Sequence, residues 1–69
     1  MKLYFQNSKG EERPIAEVDS REDAMRRIKK FCLDRDFTIY YTRCWGELDK
    51  DGITYDVGSH TEFFKLKRD

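Results

Sequence analysis

The chain has 69 residues, enough for one small domain, and residues 1–69 are expected to fold as a single unit. Its 14 basic and 14 acidic side chains balance, whereas a general nucleic-acid binder is usually basic and a DNA mimic would be strongly acidic. Two cysteines are too few for a disulfide-rich secreted domain. No apolar run is long enough to span a bilayer, so we expect a cytoplasmic protein with reduced thiols and no membrane partner.

Alternation at the start of the chain predicts a β-hairpin. Residues 2–6 and 13–18 each alternate in polarity, and the segment from Asn7 to Gly10 has the composition of a type I turn closed by a glycine with positive φ. Counting back from that turn gives two cross-strand pairs, Leu3 with Ile15 and Phe5 with Arg13. Pro14 has no N–H to donate to a neighbouring strand, so the second strand is expected at a sheet edge.

Residues 19–34 predict a helix. Asp19 or Ser20 can cap its first turn, and the acidic residues that follow suit the positive end of the helix dipole. One face of this helix is apolar and is formed by Ala24, Met25, Ile28, Phe31 and Cys32. The other side carries four cations, Arg26, Arg27, Lys29 and Lys30. The pattern indicates a helix that packs on a sheet and keeps its cations in solvent.

The stretch from residue 37 to residue 45 is rich in aromatic and β-branched residues, which predicts a central strand with its odd-numbered side chains in the core. The segment from Asp49 to Gly52 resembles the first turn in composition and predicts a three-residue hairpin loop. That loop sets three cross-strand pairs, Trp45 with Val57, Glu47 with Tyr55 and Asp49 with Ile53. Odd-numbered residues of both strands would then share the core face.

Gly58 is expected to bend the last strand, after which Phe64 and Leu66 would face inward and residues 65–69 would fray. The order of elements is hairpin, helix, hairpin, or ββαββ. We therefore predict an α+β domain of two layers, an antiparallel sheet of four to five strands with one helix packed on one face.

The sequence shows no pattern typical of catalysis or metal binding. His60 is the only histidine and follows Ser59, and neighbours in a strand point to opposite faces, so the two cannot readily share a proton. The cysteines lack the spacing of a zinc site. The Asp49–Gly52 segment begins like a calcium loop, but the later ligand positions do not follow. We expect no enzyme activity, no cofactor and no metal.

The predicted register leaves one sheet face without a covering helix. The candidate interaction residues on that face are Tyr4, Tyr40, Thr42, Cys44 and Phe63, together with Arg43. Arg43 falls on the inward side of the predicted strand, so either it stacks on an aromatic ring and reaches the sheet edge, or it forms a recognition patch with Tyr41 and Trp45. A homodimer or another protein would cover this apolar face.

The alternative is a nucleic-acid-binding module. The cations Arg26, Arg27, Lys29 and Lys30 could contact phosphates, and Tyr4, Tyr40 and Phe63 could stack on bases. The zero net charge makes this reading less favoured than protein binding.

Two segments carry a resemblance, residues 40–43 (Tyr-Tyr-Thr-Arg) and residues 55–64 (Tyr-Asp-Val-Gly-Ser-His-Thr-Glu-Phe-Phe). Together they resemble small accessory proteins encoded in phages and prophages of Gram-positive bacteria. The resemblance implies a bacterial cytosol, a viral or prophage origin and a role in binding a host or phage protein. It supplies no catalytic or binding residue.

Overall fold

One helix crosses an antiparallel sheet of five strands in the computed structural model, which describes residues 1–68. The elements in chain order are β1 (Lys2–Gln6), β2 (Glu12–Glu17), α1 (Arg21–Asp34), β3 (Arg43–Glu47), β4 (Gly52–Asp56) and β5 (Phe63–Lys67). The spatial order of the strands is β2-β1-β5-β4-β3. The predicted α+β architecture is therefore confirmed, with the last strand of the chain at the centre of the sheet.

The first hairpin forms largely as predicted. The N–H of Gly10 donates to the carbonyl of Asn7 at 2.9 Å, and Gly10 has a φ of 84°. Phe5 lies opposite Arg13 as expected, and β2 lies at the edge. Leu3 pairs with Ala16 and not with Ile15, because the register shifts between Leu3 and Tyr4. That irregularity adds one residue to β2, which counting from the turn could not reveal.

The helix begins and ends where the sequence predicts. The Ser20 hydroxyl accepts from the N–H of Asp23 at 3.0 Å, and the Asp23 carboxylate accepts from the N–H of Asp19 at 3.1 Å. The first bond satisfies a backbone donor that the first helical turn leaves free, and the second holds the residue before the cap against that turn. The buried apolar residues of the helix are Ala24, Ile28 and Cys32.

The core lies between α1 and the sheet face that we call the inner face. Phe64 is fully buried, and its ring centroid lies 5.4 Å from the rings of both Phe5 and Phe31. Leu66 is buried as well and pairs with Leu3 on one side and Ile53 on the other. The inward orientation predicted for Phe64 and Leu66 is confirmed.

The prediction of a central strand over residues 37–45 is wrong. Residues 37–42 form no strand, and β3 begins only at Arg43 and lies at the sheet edge. The connector makes a single ladder-like bond, from the N–H of Tyr40 to the carbonyl of Val57 at 3.0 Å. Phe37 and Ile39 instead pack against the margin of the core. Aromatic and β-branched residues favour strands because they suit a half-buried surface. At Phe37 and Ile39 an irregular connector provides such a surface as well as a strand would.

The predicted register of the second hairpin is also wrong. Glu47 pairs with Gly52 across a loop of residues 48–51, so Gly52 is the first residue of β4 and not the last residue of the loop. Trp45 consequently lies opposite Thr54, and Cys44 lies opposite Tyr55. One extra loop residue reverses the faces of β3: its odd-numbered residues leave the core, and Cys44 turns toward the helix side.

At Gly46, the fourth residue of β3, this hairpin tolerates no larger residue. Its φ is 101°, and a Cβ there would collide with the backbone oxygen of Gly52.

The predicted fraying from residue 65 onward is wrong too, because β5 continues to Lys67 between two neighbouring strands. Asp69 lies outside the described residues.

Replacing Phe64 by Ala should remove the central ring of the core and cost roughly 3–5 kcal/mol of unfolding free energy, as large-to-small changes at buried aromatics do. Urea denaturation followed by circular dichroism measures this. Leu33→Ala serves as the control, because Leu33 is 81% exposed and its loss should change the free energy by less than about 0.5 kcal/mol. Equal effects of the two changes would contradict this core.

Candidate interaction site on the outer sheet face

The outer face of the sheet points away from the helix and carries a mixed row of side chains. Read across the strands, one row of directly paired positions is Pro14, Tyr4, Lys65, Thr54 and Trp45. Neighbouring strands place such residues about 4.5–5.5 Å apart, close enough for their side chains to touch. This row therefore combines apolar, aromatic and hydroxyl side chains with the ammonium group of Lys65, and Trp45 stands at its β3 end.

Four side chains at that end form what we call the outer patch: Tyr41, Arg43, Trp45 and Phe63. The Arg43 guanidinium carbon lies 5.3 Å from the Tyr41 ring centroid and 6.0 Å from that of Trp45. The Trp45 and Phe63 rings meet edge to face at 6.4 Å. Trp45 is 50% exposed and Tyr41 is 40% exposed, so the patch presents a continuous aromatic surface with a cation within it.

A buried carboxylate anchors the outer patch. Nη2 of Arg43 donates to Oδ2 of Asp56 at 2.9 Å, and the N–H of Gly58 donates to Oδ1 of Asp56 at the same distance. The Asp56 side chain is almost completely buried, whereas that of Arg43 is mostly exposed. The carboxylate thus fixes one end of the guanidinium while its plane stays available to the two rings. Arg43 stacks on an aromatic ring at the sheet edge, as the first sequence reading described, and its neighbours are the Tyr41 and Trp45 that the second reading named.

These contacts lower the pKa of the Asp56 carboxyl group. The hydrogen bond from Arg43 is the largest cause that lowers the pKa of Asp56, and the bond from the N–H of Gly58 acts in the same direction. Burial opposes both. The carboxylate therefore stays ionised in the fold at pH values where it would already be protonated in the unfolded chain.

A shallow groove of about 200 Å³ runs beside the patch. It is lined by Gln6, Trp45, Thr54, Phe63 and Lys65. Its wall thus combines two aromatic rings with one ammonium group and two uncharged polar groups.

The structure separates the six candidate residues of the sequence. Tyr4, Arg43 and Phe63 lie on the outer face. Tyr40 and Thr42 lie in the exposed connector before β3.

The predicted position of Cys44 on the outer face is wrong. It faces the helix side opposite Tyr55, and Nη2 of Arg21 lies 3.4 Å from its Sγ. The predicted register missed the outward position of Trp45: it placed this residue in the core, and only the alternative reading of a recognition patch named it with Tyr41 and Arg43. A four-residue loop at Asp49 would have revealed it, and the composition of that loop does not distinguish the two lengths.

Three of the four cations that the sequence analysis singled out on the helix have acidic neighbours on the same helix. Arg26 and Arg27 lie within 4.0 Å of Asp23, and Lys30 lies 3.8 Å from Asp34. Lys29 is exposed. Spacings of three and four residues bring such pairs together along a helix. Two carboxylates, Asp23 and Asp34, thus offset about half of the four positive charges on this face.

A cavity of about 370 Å³ opens between the first hairpin and the end of the helix. Its lining mixes aromatic residues with charges of both signs: Phe5, Asn7, Glu11, Glu12, Arg13, Ile15, Phe31 and Arg35. Within residues 1–68, no group of three or more His, Cys, Asp or Glu side chains is arranged to hold a metal. His60 is exposed, and Asp49 accepts a hydrogen bond from Arg68.

The helix of the described chain is too short and too polar to cross a membrane. Comparison with protein-family models, with curated proteins and with solved structures finds no match to this chain.

The lowered pKa of Asp56 predicts a pH dependence of stability. Because the folded-state pKa lies below that of the unfolded chain, the pair contributes fully above the unfolded value, near 3.9, and its contribution is lost as pH falls toward the folded value. Asp56→Asn should therefore flatten the acid limb of the stability profile as pH falls below the unfolded value. Urea midpoints measured across that range test this, and an unchanged slope would contradict it.

Glu62→Gln is a suitable control for this titration, because Glu62 accepts its bond from the Ser59 hydroxyl and not from Arg43.

At neutral pH, Asp56→Ala should destabilise the fold by roughly 1–3 kcal/mol, since it leaves the buried N–H of Gly58 without its acceptor.

Proposed function

We propose that this chain is a non-enzymatic accessory protein that acts by binding another protein through the outer patch. The observation that carries the proposal is the half-exposed Trp45, held between Phe63 and the stack of Arg43 on Tyr41. Trp, Tyr and Arg are the residues that most often dominate binding energy at protein interfaces.

The anchoring of Arg43 also favours binding. An interface loses free energy when it must immobilise long side chains, and Arg43 is already restrained by its bond to Asp56. The exposed aromatic rings can therefore be covered by a partner at a small additional cost in side-chain entropy. The resemblance to phage and prophage accessory proteins suggests a host or phage protein of the bacterial cytosol as that partner.

Nucleic-acid binding by Arg26, Arg27, Lys29 and Lys30 remains the alternative proposal. It has less support, because the first two share Asp23 and Lys30 lies beside Asp34. Binding of this kind would depend steeply on salt. A mobility shift with single-stranded and duplex oligonucleotides at low salt, lost at higher salt, would favour the alternative over protein binding.

Affinity capture from bacterial lysate with matched variants tests the protein-binding proposal. Wild type and Leu33→Ala should retain the same protein in the same amount. Trp45→Ala and Tyr41→Ala should each retain at least about tenfold less of it, because truncation of interface anchors weakens binding. Leu33 is the matched control because it is a large exposed apolar residue on the helix, away from the patch. Equal retention by all four proteins, or retention of no protein by wild type, would overturn the proposal.

A further inference from the structure

The two edges of the sheet differ in their capacity to accept another strand. Alternate residues of an edge strand point their N–H and C=O groups away from the sheet, where a further strand can pair with them. On β2 this row is interrupted by Pro14 and by the register shift opposite Leu3 and Tyr4. On β3 all five residues are exposed, and the strand contains no proline or lysine to block pairing.

The residues of β3 are complementary to themselves when the strand is reversed. Arg43 and Glu47 stand at its two ends, and Trp45 is its middle residue. An antiparallel copy centred on Trp45 places Arg43 opposite Glu47 of the second copy, and Glu47 opposite Arg43 of the second copy. Opposite charges at directly paired positions stabilise a strand pair, whereas like charges destabilise it.

We propose that β3 pairs antiparallel with β3 of a second copy of this chain, about a twofold axis at Trp45. The proposal deepens the proposed function and rests on its premise of protein binding, since it names one partner and the strand that receives it. Because an isologous contact uses the same surface on both copies, pairing closes after two chains. The product is a continuous sheet of twice the five strands of one copy.

Length and charge select this register among those that keep the faces aligned. Side chains alternate with a period of two, so the register can shift only in steps that keep odd residues opposite odd residues. A shift in either direction leaves only three of the five residues paired and moves Trp45 opposite Arg43 or Glu47. The centred register alone pairs all five residues and both charges.

Arg43 and Glu47 can both make the new contact despite the ion pairs they already form. Arg43 uses Nη2 for Asp56, and its guanidinium has further N–H donors. Glu47 lies 3.6 Å from Lys50, and both of those side chains are mostly exposed. Such a surface pair contributes little, so Glu47 can exchange it at little cost.

The pairing also brings the two outer patches together. A twofold axis perpendicular to the sheet keeps the same face of each copy on the same side, so the two Trp45 side chains become neighbours. The contact involves one short strand from each copy, which is below the size of a standard stable interface. A dissociation constant in the micromolar range or weaker is therefore expected, and a partner that covers both patches would tighten it.

Analytical ultracentrifugation over a concentration series tests the pairing. Wild type should show a monomer–dimer equilibrium, and Glu47→Arg should weaken it at least about tenfold, because both ion pairs become like-charge contacts. Glu17→Arg is the matched control, since it makes the same charge change at an exposed position on β2, the opposite edge. It should leave the equilibrium as in wild type. A wild type that stays monomeric, or a dimer that Glu47→Arg leaves intact, would overturn the proposal.

Disulfide trapping tests the register itself. Directly opposed residues in an antiparallel pair have Cα atoms about 4.5–5.5 Å apart, within reach of a disulfide bond. Trp45→Cys in a Cys44→Ser background should crosslink two chains under mild oxidation, with both electrons passing to added oxidised glutathione, whereas Cys44 of wild type should not crosslink. Crosslinking through Cys44, or none through position 45, would overturn the centred register.

The outcomes also separate this pairing from the broader proposal of protein binding. A monomeric protein that still captures a partner in a Trp45-dependent manner overturns the strand pairing alone. A crosslinked dimer that captures no other protein upholds the strand pairing and overturns binding of a host or phage protein.

Discussion

The contact of Phe64 with Phe5 and Phe31 joins the two layers of this small domain. Phe64 belongs to the central strand, Phe5 to its neighbour and Phe31 to the helix, so three rings connect elements that are distant in sequence. A domain of this length has few buried residues to share the stabilising load, and aromatic rings supply the most buried area per residue. The aromatic residues of the outer face take no part in this contact, because it lies on the inner face of the sheet.

The outer face is organised by a polar contact and not by an apolar one. Asp56 is buried in the sheet, and it orders Arg43, which in turn supports Tyr41 and Trp45. A buried carboxylate is tolerated only with partners, and both of its oxygens have them here. The outer patch and the outer edge of β3 share Arg43 and Trp45. Partner binding and strand pairing would therefore draw on one preformed arrangement.

The first half of this fold was predictable from sequence, and the second half only in outline. The turn at Gly10 and the cap at Ser20 are local signals, and the structure confirms both. The face of β3 depends on whether Gly52 ends a loop or begins a strand, which no local pattern decides. That single residue reverses every side chain of the strand. It moved Trp45 from the predicted core to the surface, and with it the centre of the candidate site.

The position of β5 has a consequence for how the chain acquires its structure. The strand nearest the carboxyl end inserts between β1 and β4, so the two hairpins share no strand pairing until it arrives. Local contacts can form early in each half, but the sheet as a whole must wait for pairs separated by most of the chain. During synthesis the first hairpin and the helix can already pack through Phe5 and Phe31, but the inner faces of the two hairpins cannot join into one sheet until β5 emerges.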